Sequence, residues 1–514
     1  MLYLIVYIAE QLKRIDVTMP GFGIPLGKPS PIRIILTSFF GLACLLTSAA
    51  GEVSVKIIQT TDLHGSIDHG RLAKTASLVE QETRSAGGPE KSLRIDCGDL
   101  IQGTYAMTLP IGRQLMIQFL NRLDFDVFVP GNHDFEFGSA ELLPLLRQFR
   151  GSVLAANLDW PDAPVRPWQM FRRGQLNIAI IGITYPALRR MFILPVLGHA
   201  RPLDVERRME TVMPEVLRAK PDLIVLAIHG GGQVYFSSKF DLYGLIRKYP
   251  QIDLVLCGHS HQTDPGSSMG RSTCRLQAPA RANGIAVADL VFDTDKKRIV
   301  SLKTRILTID RCREHPALKK QIAAVSRNSF RISRQPVANI PFELCPPGKK
   351  ERSSALTRLY GQAIADYTGA EIVFYGVNSS FTQPAGSLNQ FQLYRLLPYH
   401  DFPVLVHLSG TEIRRILEEQ LAVQRKKGSY QAPFGLQFSS SRRGLNSLVL
   451  TSSGQAVENH KTYPTAFSSY IFSGSGRCPV LHSIVQSKKP RHFPLPVRRI
   501  MEDYLGKKYP AANQ

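Results

Sequence analysis

Internal repeats and low-complexity tracts are missing from this 514-residue sequence, which argues against a solenoid or a disordered chain. No arginine-rich block and no nucleic-acid-binding motif accompanies its formal charge of +22, so a nucleic-acid polymer is not an expected partner. The basic residues are scattered. Attraction of small anionic substrates accounts for them, and so does a merely solvated basic surface. Cysteine is scarce, at seven residues. Cys97 and Cys257 fall at strand ends, where a small buried thiol is expected. Cys274, Cys312, Cys345 and Cys478 could pair in an oxidising compartment, but their connectivity cannot be deduced. No stable membrane span is expected in the mature form, because the apolar run Ile34–Leu46 is too short.

What is present is an ordinary globular composition, 44% hydrophobic and 20% charged, long enough for two or three domains. Lys28 and Arg33 precede the apolar run, and small residues Thr47-Ser-Ala-Ala50 follow it. That is the plan of a cleaved export signal, and it implies a periplasmic or secreted protein. Met1 to Thr18 fits this plan poorly, so Met19 is the expected start. Cys44 does not sit in a proper lipoprotein signal, because leucine is in the wrong place, and lipid anchoring is not expected.

From residue 53 to about 310 short apolar runs alternate with helical patterns. The expected strands are Val53–Gln59, Leu93–Asp96, Val127–Val129, Val153–Ala156, Ile178–Ile183, Leu223–Ile228 and Leu254–Cys257, with two more over 286–307. Continuous apolar strands imply sheets buried on both faces, hence a layered α/β domain. Pro316 to Arg334 is basic and helix-prone, and Pro341–Lys350 is a Pro/Gly-rich connector. Residues 355–367 read as an amphipathic helix opening a second α/β segment. The expected organisation is therefore an N-terminal extension and signal over 1–50, a catalytic domain over 51–315, a linker over 316–354, and a C-terminal domain over 355–514.

The strand ends carry the chemistry. Thr60-Thr-Asp-Leu-His-Gly65 follows the first strand and Asp96-Cys-Gly-Asp99 the second. Gly131-Asn-His-Asp134, His229-Gly-Gly and Gly258-His-Ser-His261 follow three others. Functional residues on parallel sheets gather in such loops. Carboxylate oxygen and imidazole nitrogen suit Zn, Mn, Fe or Co. An aspartate such as Asp99 can bridge two ions, and Asn132 offers a neutral amide oxygen. Two divalent ions about 3.5–4 Å apart can activate a bridging hydroxide and clamp a phosphoryl group. A lone Asp-x-His is usually a turn with a solvated histidine; five such strand ends in one chain are not a chance pattern.

The series Asp62-x-His64, Gly98-Asp99, Gly131-Asn-His133, His229 and Gly258-His-x-His261 resembles the calcineurin-like metallophosphoesterases. Thr61-Asp-Leu-His-Gly65 and Ala155-Ala-Asn-Leu158 narrow the resemblance to the 5′-nucleotidase family, with its UDP-sugar hydrolases and 2′,3′-cyclic-nucleotide phosphodiesterases. Thr368-Gly-Ala-Glu-Ile-Val373, Pro384-Ala-Gly386, Leu393-Tyr-Arg-Leu-Leu-Pro-Tyr399 and Leu408-Ser-Gly-Thr-Glu412 resemble that family's C-terminal domain. The resemblance implies a four-layer αββα sandwich with a second α/β substrate-binding domain. It also implies two divalent ions, the first held by Asp62, His64, Asp99 and His261, the second by Asp99, Asn132, His229 and His259. His133 would not be a ligand; it would stabilise the transferred phosphoryl group or protonate the leaving oxygen.

The sequence departs from that family in three places. Asn132-His-Asp-Phe-Glu136 stands where the family has Asn-His-Glu-Phe-Asp, so the acid orienting His133 would be Glu136, one methylene longer. The family's Asn-Gly-Gly-Gly-Ile-Arg loop appears as Tyr375-Gly-Val-Asn-Ser-Ser380, with no arginine, leaving Asn378 as a hydrogen-bonding substitute. The aromatic that stacks on the base survives as Tyr399, while its opposing partner becomes Arg477, which would either stack or face solvent. The expected function is an exported two-metal phosphohydrolase acting on nucleotides or related small phosphates. The alternative is a catalytically silent nucleotide-binding protein. A sulfur-ester hydrolase is disfavoured, because that branch lacks a histidine matching His133.

Overall fold

Alternation along single strands sets the layers. In the strand Leu176–Ile183, Ile178 and Ile180 enter one core while Ala179, Ile181 and Ile183 enter another. In the strand Glu52–Thr60, Ile57 and Ile58 divide in the same way. Side chains of a strand point alternately to its two faces, so strands apolar throughout must be covered on both. The structure, a computed structural model, describes residues 51–231, 240–270, 272–346, 353–374, 377, 379–427, 433–441, 444–474 and 479–511. The expected leader, Asn378, Arg477 and Cys478 lie outside them.

Two sheets stack face to face. One has seven strands, ordered Arg298–Thr308, Gly284–Asp293, Glu52–Thr60, Ser92–Asp96, Val127–Phe128, Ser152–Leu154, Val165–Arg166. The other has six, ordered Asp264–Met269, Thr273–Gln277, Leu254–Leu256, Leu223–Ile228, Leu176–Ile183, Trp168–Arg173. Val55, Ile57, Leu93 and Ile95 meet Ile178, Ile180, Val225 and Leu256 between them. Helices Arg71–Ser85, Pro110–Arg122 and Ser139–Gln148 cover the outer face of the first sheet. Helices Val205–Arg218 and Leu242–Lys248 cover the second. This is the four-layer αββα sandwich. The helix Pro316–Ser333 adds Leu318, Ile322 and Val325 to the first helical layer.

The seven expected apolar strands and the late pair form at these positions. Two details differ. The strand expected over 153–156 ends at Leu154: Ala155 N still donates to Arg166 of the neighbouring strand, but Ala156 N leaves the sheet for the carbonyl of Gly182 in the second one. The edge strands Trp168–Arg173 and Asp264–Met269, and Thr273–Gln277 beside the latter, carry too many polar residues to read as apolar runs. An edge strand faces solvent along one side, so polar residues are tolerated there.

The C-terminal half is a second α/β unit. Its four-stranded sheet runs Ile372–Phe374, Thr462–Ser468, Pro403–Ser409, Arg491–His492. Helices Ala355–Thr368 and Val497–Lys508 pack on one face, and Gly410–Lys427 and Pro479–Gln486 on the other. The amphipathic helix expected from residue 355 starts with a capping box, in which Ser354 and Thr357 each satisfy the other's amide. It ends at Gly369, whose φ of 77° suits glycine. Among the cysteines, Cys97 and Cys257 are buried thiols, and Cys274 and Cys312 form no disulfide.

Candidate active site

The strands beneath the site run parallel. Glu52–Thr60 pairs with Ser92–Asp96 and that strand with Val127–Phe128; Leu176–Ile183 pairs with Leu223–Ile228 and that strand with Leu254–Leu256. Their carboxyl ends therefore open on one edge of the sandwich, where ligands bind in open α/β sheets. The loops leaving that edge are tightly wound. Asp62, His64, Asp99, His259 and His261 all have left-handed backbone, with φ of 51°, 48°, 57°, 69° and 55°. Non-glycine residues in this region cost about 1–2 kcal/mol each and persist only where surroundings hold them. The holders are visible. Asp62 N and His64 N donate to the carbonyls of Gly98 and Asp99 at 2.8 and 2.9 Å. Asp134, fully buried, accepts from the amides of Asp99, Leu100, Ile101 and Gly131 at 2.9, 2.8, 3.1 and 2.7 Å. Gly131 is required by space: a Cβ there would overlap Asp99 and lie 2.8 Å from His229 Cε1.

These loops bring six of the expected residues into two clusters. Asp62, His64 and His261 form one, and Asp99, His229 and His259 the other. Within each, one ligand atom per residue lies within 4.8 Å of the rest. Asn132 joins the second: its Oδ1 is 2.8 Å from His259 Nδ1. Asp99 links the two, with Oδ2 3.2 Å from His229 Nε2 and 3.8 Å from His64 Nε2.

The polar atoms fit cations better than they fit one another. His229 Nδ1 meets the Cys97 carbonyl at 2.6 Å, and His64 Nδ1 meets the Gln102 carbonyl at 3.0 Å. A carbonyl only accepts, so each Nδ1 carries hydrogen, and each ring when neutral turns a lone pair on Nε2 inward. His64 Nε2 then faces His261 Nε2 at 2.9 Å. Buried Asn132 Nδ2 has no hydrogen-bond partner, and His229 Nε2, though 3.2 Å from Asp99 Oδ2, is not aligned for a hydrogen bond to it. Two inward-facing Nε2 atoms beside buried carboxylates suit a positive charge between them, a proton or a metal cation.

The charges follow the same logic. Burial pulls the His64 and His259 imidazoles down to about 4, which favours the neutral, ligating form. His229 differs: burial opposes its charge, but the Asp99 carboxylate overrides it and lifts the ring to about 10, so with no cation present Nε2 favours a proton that a bound cation would displace. Burial disfavours charge on Asp99, yet His229 and His133 hold its carboxyl well below the usual range. Burial and the Asp99 charge together raise Asp134 to about 6.

His133 stands beside the clusters. Its amide donates to Asp99 Oδ1 at 2.7 Å, and its ring lies 5.4 Å from that of His64. Its Nδ1 is 3.0 Å from Glu136 Oε2. Burial works against its charge, but Asp99 and Glu136 raise it to about 9. The other Glu136 oxygen, Oε1, accepts from His400 N at 2.8 Å, a contact reaching across to the C-terminal unit. Tyr399, 40% exposed, stacks on the His133 ring at 6.4 Å with an interplanar angle of 23°.

Of the expected substrate residues, the described structure therefore places Tyr399 at the site. The carbonyls of Cys97 and Gln102 and the amide of His400 were not among the expected groups, since backbone atoms carry no sequence signal. Tyr185, whose ring lies 4.3 Å from that of His259, follows the end of the strand Leu176–Ile183 and is reachable by the same strand-end criterion.

Comparison with known proteins agrees with this layout. Residues 55–263 match the family model described as calcineurin-like phosphoesterase, and residues 320–483 match that of the 5′-nucleotidase C-terminal domain. A snake venom 5′-nucleotidase from Gloydius brevicauda is 24% identical over 356 residues, covering 61% of this chain and 58% of the relative. A 2′,3′-cyclic-nucleotide 2′-phosphodiesterase/3′-nucleotidase from Haemophilus influenzae is 22% identical over 276 residues, covering 47% of this chain and 42% of the relative. The chain spans about half the length of the curated relatives it matches. Among solved structures, a putative 5′-nucleotidase from Staphylococcus aureus superposes with a TM-score of 0.73 at 17% identity, covering 89% of this chain and 98% of that one.

Proposed function

The chain belongs to the calcineurin-like phosphoesterases that carry a 5′-nucleotidase C-terminal domain, and we propose that it is an exported hydrolase of phosphoester bonds in nucleotides or related small phosphates, using two divalent cations. The observation carrying this reading is the pair of His/Asp clusters linked by Asp99, with the His133–Glu136 dyad at their side. Asp62, His64, Asp99 and His261 would hold one cation; Asp99, Asn132, His229 and His259 the other. Zn, Mn, Co and Fe all suit these donors. When bound, such cations supply Lewis-acid charge to phosphoryl oxygens and lower the pKa of an attacking water.

The chain's own residues do the rest. Glu136 holds His133 Nδ1 and so turns Nε2 toward the substrate. A ring raised to about 9 is protonated at neutral pH. It can neutralise charge on the phosphoryl oxygens and give its proton to the leaving oxygen. Tyr399 offers a ring face for a base or another flat leaving group. Asn378 and Arg477 complete the proposed substrate contacts. Export rests on the basic, apolar and small-residue succession over 28–50; a mature chain sequenced to begin well before residue 45 would count against it.

The decisive experiment is a panel of phosphomonoesters, diesters and diphosphates assayed for released phosphate with Mn, Zn or Co. Asp99→Asn and His133→Asn should each nearly abolish turnover of an aryl phosphate. Tight nucleotide binding without turnover at any metal loading would instead establish a silent binding protein.

A further inference from the structure

The turn joining the strands Thr273–Gln277 and Gly284–Asp293 carries the chain from the second sheet to the first, over the edge that bears the clusters. It contains two consecutive non-glycine residues in left-handed backbone, Arg281 at φ 59° and Ala282 at φ 53°. The strain is held from both sides. Arg281 N donates to the Asp62 carbonyl at 2.7 Å, and the Ala282 carbonyl accepts from Thr75 Oγ1 at 3.0 Å. Ala282 is fully buried, so its place is explained by packing.

Packing does not explain the arginine. Glycine or asparagine would adopt this backbone more easily. The Arg281 side chain is exposed, and among the described residues its guanidinium has no hydrogen-bond or ion-pair partner. It is anchored one hydrogen bond away from Asp62, a member of the first cluster. It also lies within electrostatic reach of two aromatic rings of the C-terminal unit. Burial, with Glu136 and Asp401, pushes the Tyr399 phenol up, and the Arg281 charge pulls it down. Burial pushes Tyr394 up to about 12 against the charges of Arg498 and Arg281. Arg281 thus borders the space bounded by the first cluster, His133 and the ring stacked on it.

We infer that Arg281 is a substrate-binding residue whose guanidinium pairs with phosphoryl oxygens at this site. The inference rests on the phosphohydrolase reading for its ligand class, although its test does not need turnover. A planar guanidinium offers two parallel N–H groups to two phosphate oxygens, whereas an ammonium offers a point charge. A strained, unpaired arginine beside an anion site is a different object from the solvated arginines elsewhere on this basic chain.

Isothermal titration of inorganic phosphate into the metal-loaded full chain reads the pairing directly. Arg281→Asn, which tolerates the left-handed backbone, should weaken phosphate binding about ten- to hundredfold. Metal content and melting temperature should be unchanged, and KM for an aryl phosphate should rise in parallel. Arg281→Lys should recover part of the loss. Arg84→Gln removes the same charge at the far end of the helix Arg71–Ser85, and should leave phosphate affinity within twofold. Wild-type protein that binds no phosphate, an Arg281→Asn protein within twofold of wild type, or an Arg84→Gln protein equally weakened would each overturn the assignment. Phosphate binding lost in Arg281→Asn, alongside a wild type that hydrolyses no ester, would keep Arg281 and sink the hydrolase reading.

Discussion

Replacing Glu136 with glutamine tests whether the longer acid drives His133. Glu136 uses both oxygens: Oε2 lies 3.0 Å from His133 Nδ1, and Oε1 accepts from His400 N at 2.8 Å. Glutamine has the same length but only one oxygen. If its oxygen stays with His400, its NH₂ opposes the hydrogen on His133 Nδ1. If the amide flips, the His400 amide is left unpaired at a half-buried position. Either outcome removes a charge-assisted hydrogen bond, worth about 1.5–3 kcal/mol. At about 1.4 kcal/mol per factor of ten, kcat should fall roughly ten- to hundredfold. Metal content should not change, because Glu136 belongs to neither cluster. Glu136→Asp is the sharper control. Its side chain is one methylene shorter and cannot span both contacts from the same backbone position, so it too should lose rate. Steady-state kinetics with an aryl phosphate, alongside elemental analysis for bound metal, measure both effects. A Glu136→Gln enzyme within twofold of wild type would refute the dyad, and loss of metal with loss of rate would assign Glu136 to the fold instead.

Other perturbations separate holding from reacting. His133→Asn should cost turnover while leaving metal content near wild type, whereas Asn132→Ala should lower both, as elemental analysis of the purified proteins would show. Asp134→Ala leaves four buried amides without an acceptor; the loss should exceed about 3 kcal/mol, appearing as a fall in melting temperature on the order of 10 °C together with lost metal. Gly131→Ala drives a Cβ into Asp99 and toward His229, so it should abolish metal binding with little change in the far-ultraviolet circular dichroism. Asp401 gives a pH signature: burial and the Glu136 charge raise its carboxyl to about 7. A carboxyl raised in the folded state stabilises most below its unfolded value near 4 and loses that contribution as pH rises to 7. Asp401→Asn keeps the acceptor for Ser469 and Tyr470, so its stability relative to wild type should improve by about 1–2 kcal/mol between pH 4 and 8, the half-buried position softening the full shift. Chemical denaturation across that range measures it, and a flat difference would contradict the raised carboxyl.

What was legible follows from range. Apolar runs such as Leu223–Ile228 announce buried parallel strands because every residue of the strand is covered. The polar residues after them announce a site because parallel strands share one open edge. Both are local patterns. The capping box at Ser354 and the helix stop at Gly369 are local too. The missing parts depend on contacts between distant residues or on backbone atoms. The His400 amide meets Glu136 across 264 positions, and nothing in either neighbourhood encodes the other. Asp134 reads as one more acid of a reactive loop, yet its two oxygens are consumed by the amides of two loops, and the reactive geometry depends on it without its touching substrate. The left-handed backbone of five cluster residues could not be read from identity, because aspartate and histidine adopt it only when neighbouring loops force it. Arg281 shows the same limit from the other side. In sequence it is one of many scattered basic residues, and only the strained turn and the Asp62 carbonyl beneath it distinguish it. Local patterning thus locates the site and names its donors, while the long-range packing of loops decides which donors are held rigid and which remain free to meet a substrate.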